Sequence, residues 1–289
     1  MNNNQKKRLL IIGALLVLLA ISTYELNYKV LLVALVAVLS AVILEIIAAK
    51  VRKEKFDFTS YFITPLVFSI IISYNIYDHI WMVTLSVIFG VFFAKSLFGG
   101  QDKNLFNPAA LGLVFALLSF PAYLLNTGTG NAMGELFVYT ALGLAVLLII
   151  FKAISPYTII SYLIVLVGIY GLFYLLNNNN QSVTDILFKT NMVFVGVFMI
   201  TETTTSPKSS LGQIIYGISV ALLVWLINTQ SSNAEFAAVY VVLLANAISP
   251  LIDQGLNYLK SNKQITDNAD IKEVNVWKTF YKLLYLLSY

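Results

Sequence analysis

Cysteine is absent from this 289-residue chain, and histidine occurs once, at His79. Without cysteine, the chain forms no disulfide, ligates no iron–sulfur cluster through thiolates and has no thiol nucleophile. A single histidine also excludes a haem held by two histidines. Any redox chemistry carried by this chain therefore depends on an organic cofactor.

Charged residues are scarce as well. They make up 11% of the chain against 59% hydrophobic residues, and the mean hydropathy is +0.82. So much apolar surface has no place to go but lipid, which predicts an all-α integral membrane protein. The formal net charge of +4 reflects membrane topology, and we expect no nucleic-acid partner.

Apolar segments long enough, or nearly long enough, to cross a bilayer number about ten. The first follows Lys6, Lys7 and Arg8 as in a signal peptide, but no small-residue cleavage pattern follows it, so we expect a retained helix. The ten segments lie at 9–22, 29–49, 60–75, 80–97, 108–125, 137–151, 156–176, 184–200, 211–228 and 235–252.

The distribution of basic residues predicts the orientation, because Lys and Arg favour cytoplasmic loops. With the N-terminus inside and all ten segments crossing, 16 of the 18 basic residues lie inside, and only Lys29 and Lys189 lie outside. Both termini are then cytoplasmic. The sequence predicts a ten-helix membrane domain at 1–253 and a cytoplasmic tail at 254–289, in which 271–289 has the spacing of an interfacial amphipathic helix.

The segment Phe98–Gly112 is a polar, glycine-bearing break between two apolar segments. Gly99 and Gly100 permit backbone conformations that other residues avoid, and Asn107-Pro108 predicts a helix start with Asn as the cap. In lipid such a backbone must be buried in protein or line a cavity, which indicates a broken or re-entrant segment. An ordinary turn between two helices is the alternative.

Three other features are candidates for function. Glu45 lies near the end of the second apolar segment, where an ionisable group is a candidate for ion coupling, although an interfacial ion pair with Lys50 also explains it. The segment Thr201–Gly212 is rich in hydroxyls, which suit an anion at a helix start or a plain capped loop. The outer segment Asn126–Glu135 contains three glycines, which permit close approach to a flat ligand or form an ordinary turn.

These residues resemble one protein family, which comprises RnfD, a membrane protein of the Rnf complex, and NqrB, its counterpart in the sodium-pumping NADH:quinone reductase. The likeness rests on Phe98–Gly100 with Asn104–Gly112, then on Met199–Glu202 with Thr205–Pro207, and on Asn246 with Pro250–Asp253. It extends in order from about residue 30 to residue 255.

The resemblance implies a membrane subunit with two five-helix halves in a redox-driven, ion-translocating oxidoreductase of a bacterial plasma membrane. It implies other membrane and flavin-binding subunits as partners, quinone as a candidate acceptor, and Na⁺ or H⁺ as the coupling ion. It implies FMN, bonded to a threonine of a Ser-Gly-Ala-Thr motif, with riboflavin as a second candidate flavin. Because that motif is absent here, we expect flavin that is released on denaturation. A shorter alignment would place Thr129 at the acceptor position, and the flavin would then stay attached.

The predicted cofactor-binding residues follow from the three loops, and Glu45 is the predicted ion-coupling residue. No catalytic residue and no metal ligand is predicted. The cofactor-binding residues are Thr127, Thr129, Gly130 and Asn131 in the outer loop, Gly99, Gly100, Asn104 and Asn107 in the break, and Thr205 and Ser206 in the hydroxyl-rich loop.

Two other functions stay open. Asn107-Pro108-Ala109 is also the tripeptide of water channels, and broken helices are typical of channels and secondary transporters. A second such tripeptide, which a water channel needs, is missing from this chain. A non-redox membrane anchor for a flavoprotein partner is the other alternative.

Overall fold

A computed structural model describes residues 3–53, 58–72, 74–100, 102–124, 134–177, 187, 191–230 and 236–267. Within these ranges the chain forms eleven α-helices, and no strand is present. Three short 3₁₀ helices, at Phe58–Ser60, Tyr74–His79 and Ser96–Phe98, connect some of them. The α-helices are α1 Asn3–Glu25, α2 Lys29–Arg52, α3 Ile63–Ile71, α4 Ile80–Ala94, α5 Pro108–Ser119, α6 Pro121–Leu124, α7 Glu135–Ile150, α8 Pro156–Asn177, α9 Met192–Phe198, α10 Ser210–Gln230 and α11 Ala237–Asp267.

Six stretches of helix in the described part of the chain are long and apolar enough to cross a membrane. This confirms the predicted class, an all-α integral membrane protein. The count of ten spanning helices is not exact, because the other predicted spans contain helices much shorter than the roughly 20 residues that a bilayer requires. The six stretches are Asn3–Glu25, Lys29–Arg52, Ile76–Phe98, Pro156–Leu176, Ser210–Gln230 and Ala237–Ser261.

Two of the short helices, α3 and α9, are buried inside the bundle. Every residue of α3 from Pro65 to Ile71 is buried, and so are all seven residues of α9. A helix that stops within the membrane leaves backbone groups without partners, and these must be covered by protein. The burial of α3 and α9 meets this condition, so the fold contains broken helices of the predicted kind.

The helices pack in two groups that meet along α5 and α11. Helices α2, α3, α4 and α5 contact one another, and α8, α10 and α11 form the second group. Helix α1 packs against α3 and α7, and α9 contacts α7, α8 and α11. The meeting of α5 with α11 brings the break before α5 close to the α9–α10 connection, and this proximity creates the site described below.

Helices α4 and α5 approach unusually closely because both carry glycine at their contact. A Cβ atom on Gly90 would overlap the carbonyl oxygen of Pro108, and one on Gly112 would lie 2.8 Å from that of Ser86. Small residues allow such backbone contact between helices in membranes. This contact fixes the position of Pro108, and therefore of the adjacent break, against α4.

The last helix continues beyond the predicted domain boundary at residue 253. Helix α11 passes through Pro250 and ends at Asp267. The boundary itself stays a prediction. The amphipathic helix predicted at 271–289 and the outer-loop residues Thr127, Thr129, Gly130 and Asn131 lie outside the described residues.

Candidate functional site

The break between α4 and α5 folds back onto the end of α4. Three of its residues have left-handed backbone conformations, with φ of 104° at Gly99, 81° at Gly100 and 59° at Asp102. The amide of Gly100 donates to the carbonyl of Lys95 at 3.0 Å, and the amide of Leu105 donates to that of Ala94 at 3.1 Å. The two glycines therefore shape the turn, as their sequence suggested.

Asn107 ends the break, and three of its hydrogen bonds position the site. Its side-chain oxygen accepts from the amide of Ala110 at 3.0 Å, so it caps α5, with Pro108 at the first helical position. Its side-chain nitrogen donates to Glu202 at 2.8 Å, and its backbone amide donates to the side chain of Asn246 at 2.7 Å. Asn107 therefore joins the break to both the α9–α10 connection and α11.

Glu202 lies in the connection between α9 and α10 and accepts hydrogen bonds from three side chains. Besides Asn107, the donors are Asn104 at 2.8 Å and Thr204 at 2.9 Å. Burial raises the pKa of the Glu202 carboxyl, while these hydrogen bonds and the charge of Lys95 act in the opposite direction. The network continues from Asn246 to the hydroxyl of Tyr216 at 3.2 Å.

A second polar cluster lies beside the first, and Glu45 is its centre. Glu45 forms an ion pair with Lys95, and both side chains are nearly inaccessible, at 2% and 5% exposed. The ammonium of Lys95 also donates to the carbonyl of Ser60 at 3.2 Å and to its hydroxyl at 2.8 Å. The partner of Glu45 is thus a buried lysine at the end of α4 and not the neighbouring Lys50.

A cavity of about 270 Å³ connects the two clusters. Its walls come from α1, Ser60, the first turns of α3, the end of α4, the break with the start of α5, residues 153–154 and the α9–α10 connection with the end of α9. Apolar side chains alternate in the wall with charged and amide groups. Residues that line it are Lys7, Arg8, Ile11, Ser60, Ile63, Thr64, Val67, Lys95, Asp102, Asn104, Asn107, Pro108, Ile154, Phe198, Thr201 and Glu202.

The sequence-predicted residues divide into two groups in this structure. Asn104 and Asn107 line the cavity, whereas Gly99, Gly100, Thr205 and Ser206 do not and instead form the turns that support it. The amides of Thr205 and Ser206 both donate to the backbone carbonyl of Glu202. These hydroxyl residues therefore hold Glu202 in place by their backbone.

Sequence reasoning missed two charged residues of the site, Lys95 and Glu202. Lys95 is a single basic residue at the end of a long apolar segment. An ionisable residue in such a place is a candidate for function, so the sequence contained a signal for it. Glu202 belonged to a motif that carried the resemblance, but its own role was not predicted. Only the packing of α5 against α11 places both residues on one cavity.

One polar side-chain atom in the cavity wall has no hydrogen-bond partner in the described part of the chain. The side-chain oxygen of Asn104 is buried and accepts no hydrogen bond from the described residues, although the nitrogen of the same amide donates to Glu202. A buried acceptor without a donor is costly, so this atom points to a ligand with an N–H or O–H group.

Broken helices that enclose a cavity with buried charges define a class of polytopic membrane protein built to handle ions or cofactors within the bundle. Comparison with known proteins gives the family. The model of the NQR2, RnfD, RnfE family matches residues 2–128 and 123–260, so the chain belongs to that family and the predicted resemblance is confirmed.

Similar proteins belong to ion-translocating oxidoreductases. The D component of the ion-translocating oxidoreductase complex of Actinobacillus succinogenes is 27% identical, over 84% of this chain and 90% of its own length. The D component of the Na⁺-translocating ferredoxin:NAD⁺ oxidoreductase complex of Acetobacterium woodii is 24% identical, over 84% and 86%.

A second group of relatives is longer than this chain. The B component of the Na⁺-translocating NADH-quinone reductase of Ectopseudomonas mendocina is 26% identical, over 78% of this chain and 66% of its own length. This chain therefore spans about two thirds of that relative.

Proposed function

We propose that this protein is a membrane subunit of a redox-driven, ion-translocating electron-transport complex and that the cavity holds a flavin. Family membership supports the first part, since relatives carry the names of such subunits. The observation that carries the second part is the unpartnered oxygen of Asn104 in a cavity with both apolar and cationic walls. When bound, a flavin supplies one- and two-electron transfer, which no side chain of this cysteine-free chain provides.

The residues of the cavity fit the chemistry of a flavin ring. The ring has an apolar end and a polar edge with one N–H donor between two carbonyl acceptors, so it requires mixed walls. Asn104 offers the matching acceptor, and Ile63 and Phe198 offer apolar surface. Lys95 and Arg8, which are paired with Glu45 and Asp102, bring positive charge to the wall. The volume of about 270 Å³ is close to the lower end of ligand pockets, which begin at about 300 Å³.

In this proposal each part of the site has a separate task. Asn104 orients the ligand, while Asn107 and Thr204 fix the position of the Glu202 carboxylate in the cavity wall. Helix α1 closes the cavity on one side, because Lys7, Arg8 and Ile11 all line it. Glu45 stays the candidate for ion coupling, with Na⁺ or H⁺ as the ion.

The assembly and orientation complete the proposal. We infer that the protein lies in a bacterial plasma membrane with both termini in the cytoplasm, alongside other membrane and flavin-binding subunits, and that quinone is a candidate acceptor. FMN is the first candidate cofactor and riboflavin the second. Because the Ser-Gly-Ala-Thr motif is absent, the flavin is expected to be released on denaturation.

Flavin content tests the proposal. We expect protein purified gently with its partner subunits to contain flavin in a fixed ratio, and Asn104→Ala to lower the affinity for it about tenfold, the value of about one hydrogen bond. Leu105→Ala is the control, because Leu105 is 47% exposed and outside the cavity wall. An equal flavin ratio in the two variants would show that the flavin does not bind in this cavity.

Two further results of the same experiment are informative. If Thr129 in the predicted outer loop is the acceptor of a covalent bond, flavin fluorescence will stay with the polypeptide on a denaturing gel and disappear in Thr129→Ala. That flavin would be separate from the ligand of this cavity. Complete absence of flavin would favour a transporter, which the buried ends of α3 and α9 also suit.

A further inference from the structure

We propose that Lys95 is a tethered cation that occupies a site for a small monovalent metal ion, formed by Glu45 and Ser60, and that it leaves this site for the cavity when the cavity becomes negatively charged. The inference deepens the proposed function and rests on it for the source of that negative charge. Its structural basis is the geometry around the Lys95 ammonium.

The ligands of the Lys95 ammonium are those that a hard monovalent ion also takes. They are a carboxylate oxygen of Glu45, the carbonyl oxygen of Ser60 and the hydroxyl of Ser60. Three oxygens of different kinds converge on one positive charge, and oxygen ligands of this sort bind hard cations. The face of the Tyr61 ring, 5.3 Å from the ammonium, covers it on another side.

The ammonium does not use the whole site. The second carboxylate oxygen of Glu45, Oε2, is buried in a side chain that is 2% exposed and has no hydrogen-bond partner among the described residues. The three N–H groups of Lys95 are already directed to Ser60 and to the other Glu45 oxygen. A metal ion, unlike the ammonium, can take both carboxylate oxygens at once, so the unpartnered atom indicates room for a different cation.

The cavity offers the Lys95 ammonium a second position. Lys95 lines the cavity, as Glu202 does, and its charge acts on the Glu202 carboxyl. The unpartnered oxygen of Asn104 is a further acceptor in the cavity lining. Because the lysine stem has four flexible carbons, the ammonium can move between the two clusters by side-chain rotation alone.

Movement of Lys95 links the two clusters through charge. A buried carboxylate left without its partner is strongly unfavourable, so Glu45 must acquire another cation when Lys95 departs. Negative charge in the cavity attracts the ammonium and thereby opens the Glu45–Ser60 site. Reduction of the ligand in the cavity is then coupled to uptake of an ion, because Lys95 moves toward the negative charge and the ion takes its place at Glu45.

If Lys95 is replaced by a neutral residue, the Glu45–Ser60 site should need a metal ion from solution to neutralise Glu45. We expect Lys95→Met to melt about 5 °C higher when NaCl replaces choline chloride at constant ionic strength, with sodium at about a hundred times its dissociation constant. Wild type is expected to show no such shift, because Lys95 fills the site. Lys50→Met is the matched control, since Lys50 is an exposed lysine on the same helix as Glu45.

The double variant Glu45→Gln/Lys95→Met identifies the site. It is expected to lose the sodium response and, without sodium, to be more stable than Lys95→Met, because it leaves no unpaired carboxylate. A Lys95→Met protein that is folded but indifferent to sodium would overturn the inference. So would a melting temperature that follows pH and not sodium, because the replacement would then be a proton.

A second variant and a second measurement accompany the sodium titration. If Lys95→Met does not purify as a monodisperse protein, Lys95→Gln, whose amide can still bind Ser60, undergoes the same titration. Flavin content is measured on the same preparations. Loss of flavin from wild type contradicts the proposed function, whereas a missing sodium response in flavin-containing protein contradicts only the exchange of Lys95.

Discussion

Asn107 is the residue on which the site depends most, because its hydrogen bonds reach three different parts of the chain. The cap of α5, the hydrogen bond to Glu202 and the contact with Asn246 all start from it. The orientation of its amide is fixed, since the oxygen is engaged by the amide of Ala110 and only the nitrogen is left for Glu202. Single substitutions can therefore separate its tasks.

Asn107→Ser is expected to preserve the helix cap and lose the hydrogen bond to Glu202, which lowers the free energy of unfolding in detergent by about 2 kcal/mol. Asn107→Ala loses the cap as well and should cost about 1 kcal/mol more. Denaturant titration of the two variants measures the difference. Equal stability of the Ser and Ala variants would show that the cap contributes nothing.

Glu202 should make stability depend on pH. Its pKa is raised in the folded protein by burial, so it contributes stability below the pKa of an exposed glutamate, about 4.3, and this contribution is lost as the pH rises through the folded-state value. Glu202→Gln does not titrate. We expect the wild-type melting temperature to fall relative to the variant as the pH rises from about 4.

Glu202→Gln also loses some stability that does not depend on pH. An amide at position 202 has one acceptor oxygen in place of two. If that oxygen keeps the bonds from Asn104 and Thr204, which share one carboxylate oxygen of Glu202, the side-chain nitrogen of Asn107 loses its acceptor at every pH. A difference between the two melting curves that does not change with pH would mean that Glu202 has the same pKa in the folded and unfolded states.

At the scale of elements, the site depends on how closely α4 and α5 approach each other. Gly90 on α4 faces the carbonyl of Pro108, the residue that follows the Asn107 cap. A backbone atom in such a contact cannot rotate away, so any side chain at position 90 must push α4 apart from α5 and the break. The contact is therefore more sensitive than a contact between side chains.

Gly90→Ala is expected to lower the free energy of unfolding by about 2 kcal/mol, the cost of one methyl group forced into a packed contact. Gly143→Ala is the control, because nothing lies within 4 Å of a Cβ atom built on Gly143 in α7. The control should be unchanged or about 0.5 kcal/mol more stable, as alanine favours a helix over glycine. Equal losses in both variants would contradict close packing of α4 on α5.

At the scale of the whole molecule, the basic residues predict the orientation in the membrane. Because the chain has no cysteine, single cysteines report the side on which they lie. In intact cells we expect an impermeant thiol reagent to label Tyr28→Cys, which is 63% exposed between α1 and α2. Ser210→Cys, at the exposed start of α10, should be labelled only after permeabilisation. Labelling of Ser210→Cys from outside would reverse the topology.

The sequence by itself determined the class, the family and several local structures. Hydrophobic composition leaves lipid as the only solvent for most of the chain, and this does not depend on how the helices pack. Asn107-Pro108 starts a helix and the two glycines turn the chain because these are properties of the backbone within a few residues. Segments 60–75 and 184–200 were predicted as long helices, whereas the described residues form only the short buried helices α3 and α9 there, because apolar length alone does not say how much of a segment is helical.

Only the tertiary structure decided which polar residues meet. Glu45 and Lys95 are 50 positions apart, and Asn107 and Asn246 are separated by 139 positions. No local pattern specifies such pairs, since each depends on which helix faces are buried together. Glu45, for which the sequence offered nearby Lys50 as a partner, is neutralised instead by a lysine at the end of α4, because α2 packs against α4. Burial then requires that Glu45 be paired with a cation, since an isolated charge inside the bundle would be far too costly.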